Sequence, residues 1–182
     1  SGHRLALLHI TYGQLTAGRE RRAFENVADY YEVPDKRRLV VDIGYLKQIG
    51  GSALTDPSIP LPENLPIDCP ETPISYVPQR NGNLLFIAAA WADVVGADSI
   101  WAGLENEDHA GYPDCRHEFA EAVERAIGLG NDDEKPDPKV RTPLIRMRKP
   151  QIIRRGLELA APIHLTWSCY RREDVACGVC DS

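Results

Sequence analysis

Two short, mainly apolar runs, Leu5 to Ile10 with His9 inside it and Leu39 to Ile43 with Asp42 inside it, constrain the fold of this chain more than any other feature. Runs of that length without polar alternation suit strands covered on both faces, the condition of a parallel sheet. Between them Phe24, Val27, Ala28 and Tyr31 recur at i, i+3, i+4 and i+7. That spacing predicts an amphipathic helix over 19–31, ended by Pro34. Strand, helix and strand in this order make a right-handed βαβ unit. The alternation then resumes. A helix is predicted from Asn83 to Val95 with Leu84, Ala88, Trp91 and Val95 on one stripe, and a strand from Ser99 to Leu104. A helix follows over 116–127 with Phe119, Ala120, Val123 and Ile127 aligned, then a strand from Val140 to Ile145. A last helix carries Pro150 in its first turn, where a missing N–H is harmless, and buries Ile152, Ile153, Leu157 and Ala160. One α/β domain over residues 1–182 is expected.

The stretch from Gly50 to Ser75 differs in kind. It is rich in proline and carries no helical or strand period, which in a compact domain marks a functional loop; we expect a mobile lid, with Cys69 a bystander. The net charge of −6 argues against a general nucleic-acid-binding surface. The longest apolar stretch, Leu84 to Val95, is broken by Asp93 and is too short to span a bilayer. Neither nucleic acid nor membrane is therefore an expected partner. Five cysteines, three of them in metal-like spacing, suit a reducing compartment better than a disulfide framework, so a cytoplasmic protein is expected.

Those three cysteines lie in the segment 166–182. Cys177 and Cys180 form a Cys-x-x-Cys pair that can place two thiolates on one ion, with Gly178 easing the turn between them, and Cys169 is near enough to be a third ligand. A structural zinc site takes four protein ligands, so spacing alone leaves open a three-ligand site with a free position, or a fourth ligand elsewhere. A redox pair or buried free thiols also remain open, although a polar segment with no thioredoxin-like strand before it fits a redox motif poorly.

Other constellations sit at strand ends or helix starts. Thr11-Tyr12-Gly13-Gln14 follows the first strand, where ligand loops of open α/β sheets gather. Tyr76-Val77-Pro78-Gln79-Arg80-Asn81 sets an aromatic ring, a guanidinium and an amide before a helix N-terminus, a place where anions bind. Asp108, His109, Tyr112, Asp114, Cys115 and Arg116 crowd around Gly111 and Pro113 in a strand-to-helix loop, positioned for recognition by a rigid scaffold. The bland alternative has Asp114 capping the helix that follows. Cys115 reads as a small buried residue. Lys149, beside Arg146 and Arg148 at a helix start, suits phosphate or a solvated basic cluster. His3, His9, His117 and His164 lack metal spacing and read as structural or solvent-facing.

Taken together, Tyr12-Gly13-Gln14, Ser52-Ala53-Leu54-Thr55-Asp56, Tyr76 to Asn81, Gly111-Tyr112-Pro113-Asp114-Cys115-Arg116, Pro143-Leu144-Ile145 with Lys149, and Thr166-Trp167-Ser168-Cys169-Tyr170 with Cys177 to Ser182 resemble the 7-cyano-7-deazaguanine synthase (QueC) family, a branch of the PP-loop ATP pyrophosphatases. The resemblance runs from Leu5 onward. It implies a parallel five-stranded sheet flanked by helices, of the adenine nucleotide α-hydrolase, Rossmann-like type, usually dimeric, with a small C-terminal zinc-binding segment. The implied reaction joins 7-carboxy-7-deazaguanine and ammonium in an ATP-dependent ligation to the nitrile, with Mg²⁺ accompanying ATP and zinc structural.

On the same resemblance Ser1, Gly2, Tyr12, Gly13, Gln14, Arg80 and Asn81 would meet ATP. Tyr76, Asp108, Tyr112, Pro113, Asp114 and Arg116 would meet the deazaguanine. Lys149 and Asp114 would be catalytic, and Cys169, Cys177 and Cys180 would be three of four zinc ligands. The family's phosphate loop reads Ser-Gly-Gly-x-Asp-Ser, whereas here Ser1-Gly2 is followed by His3. Its fourth zinc cysteine would fall one residue past Ser182. Two rival readings are a relative acting on another acceptor, as in an anti-phage system, and a zinc-stabilised binding module without the ATP loop.

Overall fold

The βαβ reading of the first apolar runs is met in the backbone. In the computed structural model, which describes residues 3–63, 71–105, 111–132 and 134–180, β1 (Leu7–Thr11) pairs in parallel with β2 (Arg38–Asp42), Leu7 opposite Arg38 and Thr11 opposite Asp42. The crossover is α1 (Ala17–Tyr30), which buries Ala23 and Ala28 and stacks Phe24 on the ring of His9. Its end is a Schellman motif: the Val33 N–H donates to the Ala28 carbonyl and the Glu32 N–H to that of Asp29, with Glu32 at φ 52°. Tyr31, placed on the buried face by spacing, lies past the last helical residue and is exposed, its ring edge-on to Tyr30.

The chain divides into two compact units, one of residues 1–65, 74–78 and 155–182, the other of residues 66–73 and 79–154. The first contains β1, α1, β2 and the short α2 (Tyr45–Ile49). Within the proline-rich stretch, Ser52, Ala53, Leu54 and Thr55 are buried in this unit. The Leu15 N–H donates to the Leu54 carbonyl, the Ala53 N–H to that of Ile74, and the Ser52 hydroxyl to that of Ser75. The Ser-Ala-Leu-Thr motif is thus a knot that joins the turn after β1 to the segment leading to Tyr76.

The second unit contains α3 (Arg80–Val95), β3 (Ser99–Trp101), α4 (His117–Leu129), β4 (Lys139–Arg141) and the start of α5 (Lys149–Glu158). Its core joins Leu85, Ala92, Ile100, Val123 and Ile127, with a smaller cluster of Leu104, Cys115 and Ala120 beside the 3-10 turn Pro113–Cys115. The face predicted for α4 is the one observed. The face of α3 is rotated by one residue: Asn81, Gly82, Leu85 and Ala92 are buried rather than Leu84 and Val95. That helix is apolar almost all round, so spacing alone does not choose its inner side.

Two further expectations are corrected. The five-stranded sheet is not what the described residues form: they pair as two two-stranded parallel sheets, β1 with β2 and β3 with β4. The second runs only from Ser99 opposite Lys139 to Trp101 opposite Arg141, with the Ala102 N–H donating to the Arg141 carbonyl. The apolar face predicted for the last helix is not buried either, with Ile153 52% and Leu157 68% exposed. What packs instead is Gly156, whose missing side chain lets Ile163 approach: a Cβ there would lie 2.8 Å from the Ile163 Cδ1.

Candidate functional site

The turn after β1 is built from its own side chains. The Gln14 Oε1 accepts the Tyr12 N–H at 2.8 Å, the Gln14 Nε2 donates to Glu20 at 2.9 Å, and the Thr16 hydroxyl donates to the other Glu20 oxygen at 2.7 Å. Tyr12 and Gln14 are both buried. Gly13 sits at φ +87°, and a Cβ there would lie 2.7 Å from the Lys47 Cβ, so only glycine fits both the backbone and the space. The turn therefore offers a rigid, preformed stretch of backbone at a strand's C-terminal end. Tyr76, half-buried, belongs to the same unit.

In the other unit, Arg80 and Asn81 open α3 behind Gln79, which stands at φ 57°. The Asn81 N–H donates to the Asp114 Oδ2 at 2.9 Å, while its side-chain amide donates to the Asp114 carbonyl at 3.4 Å and to the Cys115 Sγ at 3.1 Å. Asp114 is 2% exposed. It supplies the acceptor that the first turn of α3 lacks, and a carboxylate at a helix N-terminus also meets a favourable dipole. The bland alternative of a cap on the helix that follows is not met; the cap is on the helix that precedes, across 33 residues. The other oxygen, Oδ1, is buried and has no hydrogen-bond partner among the described residues. Tyr112 and Pro113 flank it half-buried, Arg116 is exposed, and the Lys149 Nζ lies 3.8 Å from the Glu105 Oε1. Cys115 is buried, as a small core residue would be.

The cysteines converge. The sulfurs of Cys169, Cys177 and Cys180 all lie within 4.8 Å of one another. The Cys169 Sγ accepts the N–H groups of Arg171 at 3.5 Å and Cys177 at 3.4 Å. Burial pushes the Cys169 thiol up, but the backbone N–H groups of Cys177, Arg171 and Arg172, with the Cys177 thiol, outweigh it and bring the pKa down to about 7. Gly178, at φ 71°, makes the turn between the paired cysteines. Three soft donors facing one point, with N–H groups stabilising thiolate, fit a thiolate-binding metal ion. From the same loop Arg171 donates to Glu63 and to the Leu61 carbonyl, and Cys180 bridges Glu63 in antiparallel fashion.

The residues expected to serve one reaction thus fall in both units. Tyr12, Gly13, Gln14, Tyr76 and the cysteines belong to the first; Arg80, Asn81, Tyr112, Pro113, Asp114, Arg116 and Lys149 belong to the second. Ser1, Gly2 and Asp108 lie outside the described residues. Glu20, Thr16 and Glu173, which hold these groups in place, were not singled out from sequence, since their partners are set by the fold.

Comparison with known proteins bears on the whole chain. The family described as "Queuosine biosynthesis protein QueC" matches residues 1–182. A protein of Koribacter versatilis named 7-cyano-7-deazaguanine synthase is 49% identical over 178 residues, covering 98% of this chain and 73% of the relative. Proteins of the same name from Chlorobium phaeobacteroides and Chlorobaculum tepidum are each 46% identical, covering 100% of this chain and 78% of the relatives.

Proposed function

This chain belongs to the QueC family, and from that premise we propose that it converts 7-carboxy-7-deazaguanine, ammonium and ATP into 7-cyano-7-deazaguanine. The observation that carries the reading is the 49% identity to a synthase of that name across 98% of the chain. ATP adenylates the carboxylate and releases pyrophosphate; ammonia displaces AMP and leaves an amide. A second ATP activates the amide oxygen, whose departure leaves the nitrile. Most of the protein's work in such chemistry is positioning the reactants and neutralising phosphate charge.

The backbone of Tyr12, Gly13 and Gln14 lines the nucleotide, with Ser1 and Gly2, and Arg80 and Lys149 meet phosphate charge. Asn81 contributes through the start of α3, since its side chain is committed to Asp114 and Cys115. Tyr76, Asp108, Tyr112, Pro113 and Arg116 hold the deazaguanine. Asp114 serves twice: one oxygen fixes α3, and the other accepts from the guanine-like N–H edge. Cys169, Cys177 and Cys180 hold zinc, which supplies folding energy to the C-terminal segment rather than polarising substrate. Mg²⁺ accompanies ATP. Within 50–75, Ser52 to Thr55 and Ser75 are core, so the lid read there excludes them.

The reading carries with it a cytoplasmic homodimer; among the described residues no helix is long and apolar enough to cross a membrane. The test is incubation of the zinc-loaded protein with 7-carboxy-7-deazaguanine, ammonium, Mg²⁺ and ATP, following products by mass spectrometry. Nitrile with AMP is the expected product pair. Adenylated acid without nitrile, or no turnover by folded, metal-loaded protein, overturns the assignment.

A further inference from the structure

The first turn of α1 has no side-chain cap from its own neighbourhood. Thr16, at the N-cap position, turns its hydroxyl to Glu20 and makes no bond to a backbone N–H. A side-chain acceptor comes from Glu173, 154 residues further on, whose Oε1 takes the Arg19 N–H at 2.9 Å and shares it with the Thr16 carbonyl at 3.1 Å. Gly18 makes that approach possible, since a Cβ there would lie 2.9 Å from the same oxygen. Two more contacts hold the segment in place. The Arg22 Nη2 donates to the Glu173 carbonyl at 3.3 Å, and the Arg19 guanidinium lies 4.4 Å from the centre of the Trp167 ring.

Glu173 stands on the loop between Cys169 and Cys177, so its place depends on how that loop is held. On the α1 side, the turn it caps includes Glu20, which bonds Gln14, which in turn bonds the Tyr12 N–H. We propose that Glu173 is a positioning residue that carries the order of the cysteine centre into the first turn of α1 and thence into the Tyr12–Gln14 turn. A bound metal fixes the loop, the loop presents the carboxylate, and the carboxylate completes the helix start. This rests on the reading of the three cysteines as metal ligands.

Hydrogen exchange on the full chain, with zinc measured in the same samples, tests it. Glu173→Ala keeps wild-type zinc, while the amides of Gly18 and Arg19 exchange up to about fivefold faster, the size of a lost helix cap. Glu173→Gln keeps an acceptor oxygen and falls between the two. Chelation speeds these amides in the wild type and adds nothing there in Glu173→Ala. Unchanged protection in a zinc-loaded Glu173→Ala protein overturns the role of Glu173 and leaves the metal reading standing. Wild-type protein that binds no zinc overturns the metal reading and the coupling with it.

Discussion

Removing the Asp114 carboxylate separates its two duties, and the outcome can be worked out from the local geometry. Asp114 is 2% exposed, and its Oδ2 accepts the Asn81 N–H at 2.9 Å. Asp114→Ala deletes that acceptor and leaves a buried N–H at the start of α3 unpartnered. A hydrogen bond to a charged group, with the penalty of the orphaned donor, is worth about 2–3 kcal/mol. For a chain of this size each kcal/mol moves the melting temperature by about 2–4 °C, so a fall of about 4–12 °C is expected. Asp114→Asn is nearly isosteric and keeps an oxygen facing Asn81. It loses only the charge at the helix end, about 1 kcal/mol or less. Calorimetry on the two variants should therefore rank Ala well below Asn. Turnover should not follow that ranking: an amide at the second oxygen position presents N–H groups to the N–H edge of the base, so Asp114→Asn is folded and inactive. Equal losses of melting temperature from the two substitutions would refute the capping argument, and full activity of Asp114→Asn would refute the base-binding one.

Gly13→Ala meets both a strained φ and the Lys47 Cβ, and should lower stability by about 2–4 kcal/mol in a urea titration; a midpoint within error of the wild type would count against the turn as described. Cys177→Ala should lose bound zinc and melt earlier, read by metal analysis and calorimetry on one sample, because structural zinc contributes folding energy. Burial holds His9 below its ordinary 6.5, with Glu20 and Glu25 pulling up and Arg21 pulling down. The unfolded chain therefore takes its proton first. Stability from this residue is full above about pH 6.5 and is lost as the pH falls through that value towards the lower folded pKa. His9→Phe should flatten the pH dependence of unfolding between pH 7 and 5, and an unaltered slope would assign it to other groups.

Local pattern was enough to locate the βαβ unit, the face of α4 and the convergent cysteines, because each depends on residues a few positions apart. The apolar runs have one way to be covered on both faces, and Cys177-Gly178-Val179-Cys180 needs only a tight turn to align its sulfurs. Where contacts are long-range, spacing was silent or misleading. Nothing near Asp114 in sequence says that its partner is Asn81, and the alternative of a cap on the next helix names the wrong helix. The inner side of α3 could not be chosen because Leu84, Leu85, Ala88 and Ala92 offer apolar surface in several directions. The last helix misled for the opposite reason: its period was clear, but contact is made where Gly156 leaves room, and Ile153 and Leu157 stay in solvent.

The contact of Glu173 with α1 also sets an order of events when the chain is made. β1 and β2 are joined by a short crossover and can pair as soon as residue 42 has left the ribosome. The unit they begin is discontinuous, however, and closes only with residues 155–182, after the whole of the second unit has been synthesised. Until then the first turn of α1 has its backbone bonds from Ala17, Arg19 and Glu20 to the Gln14 and Thr16 carbonyls but lacks the carboxylate that also meets the Arg19 N–H. A nascent chain therefore carries an early-formed strand pair beside a helix start that is among the last parts to set. Conditions that delay metal uptake should lengthen that interval, making the helix start a site of preferential cleavage by proteases during synthesis.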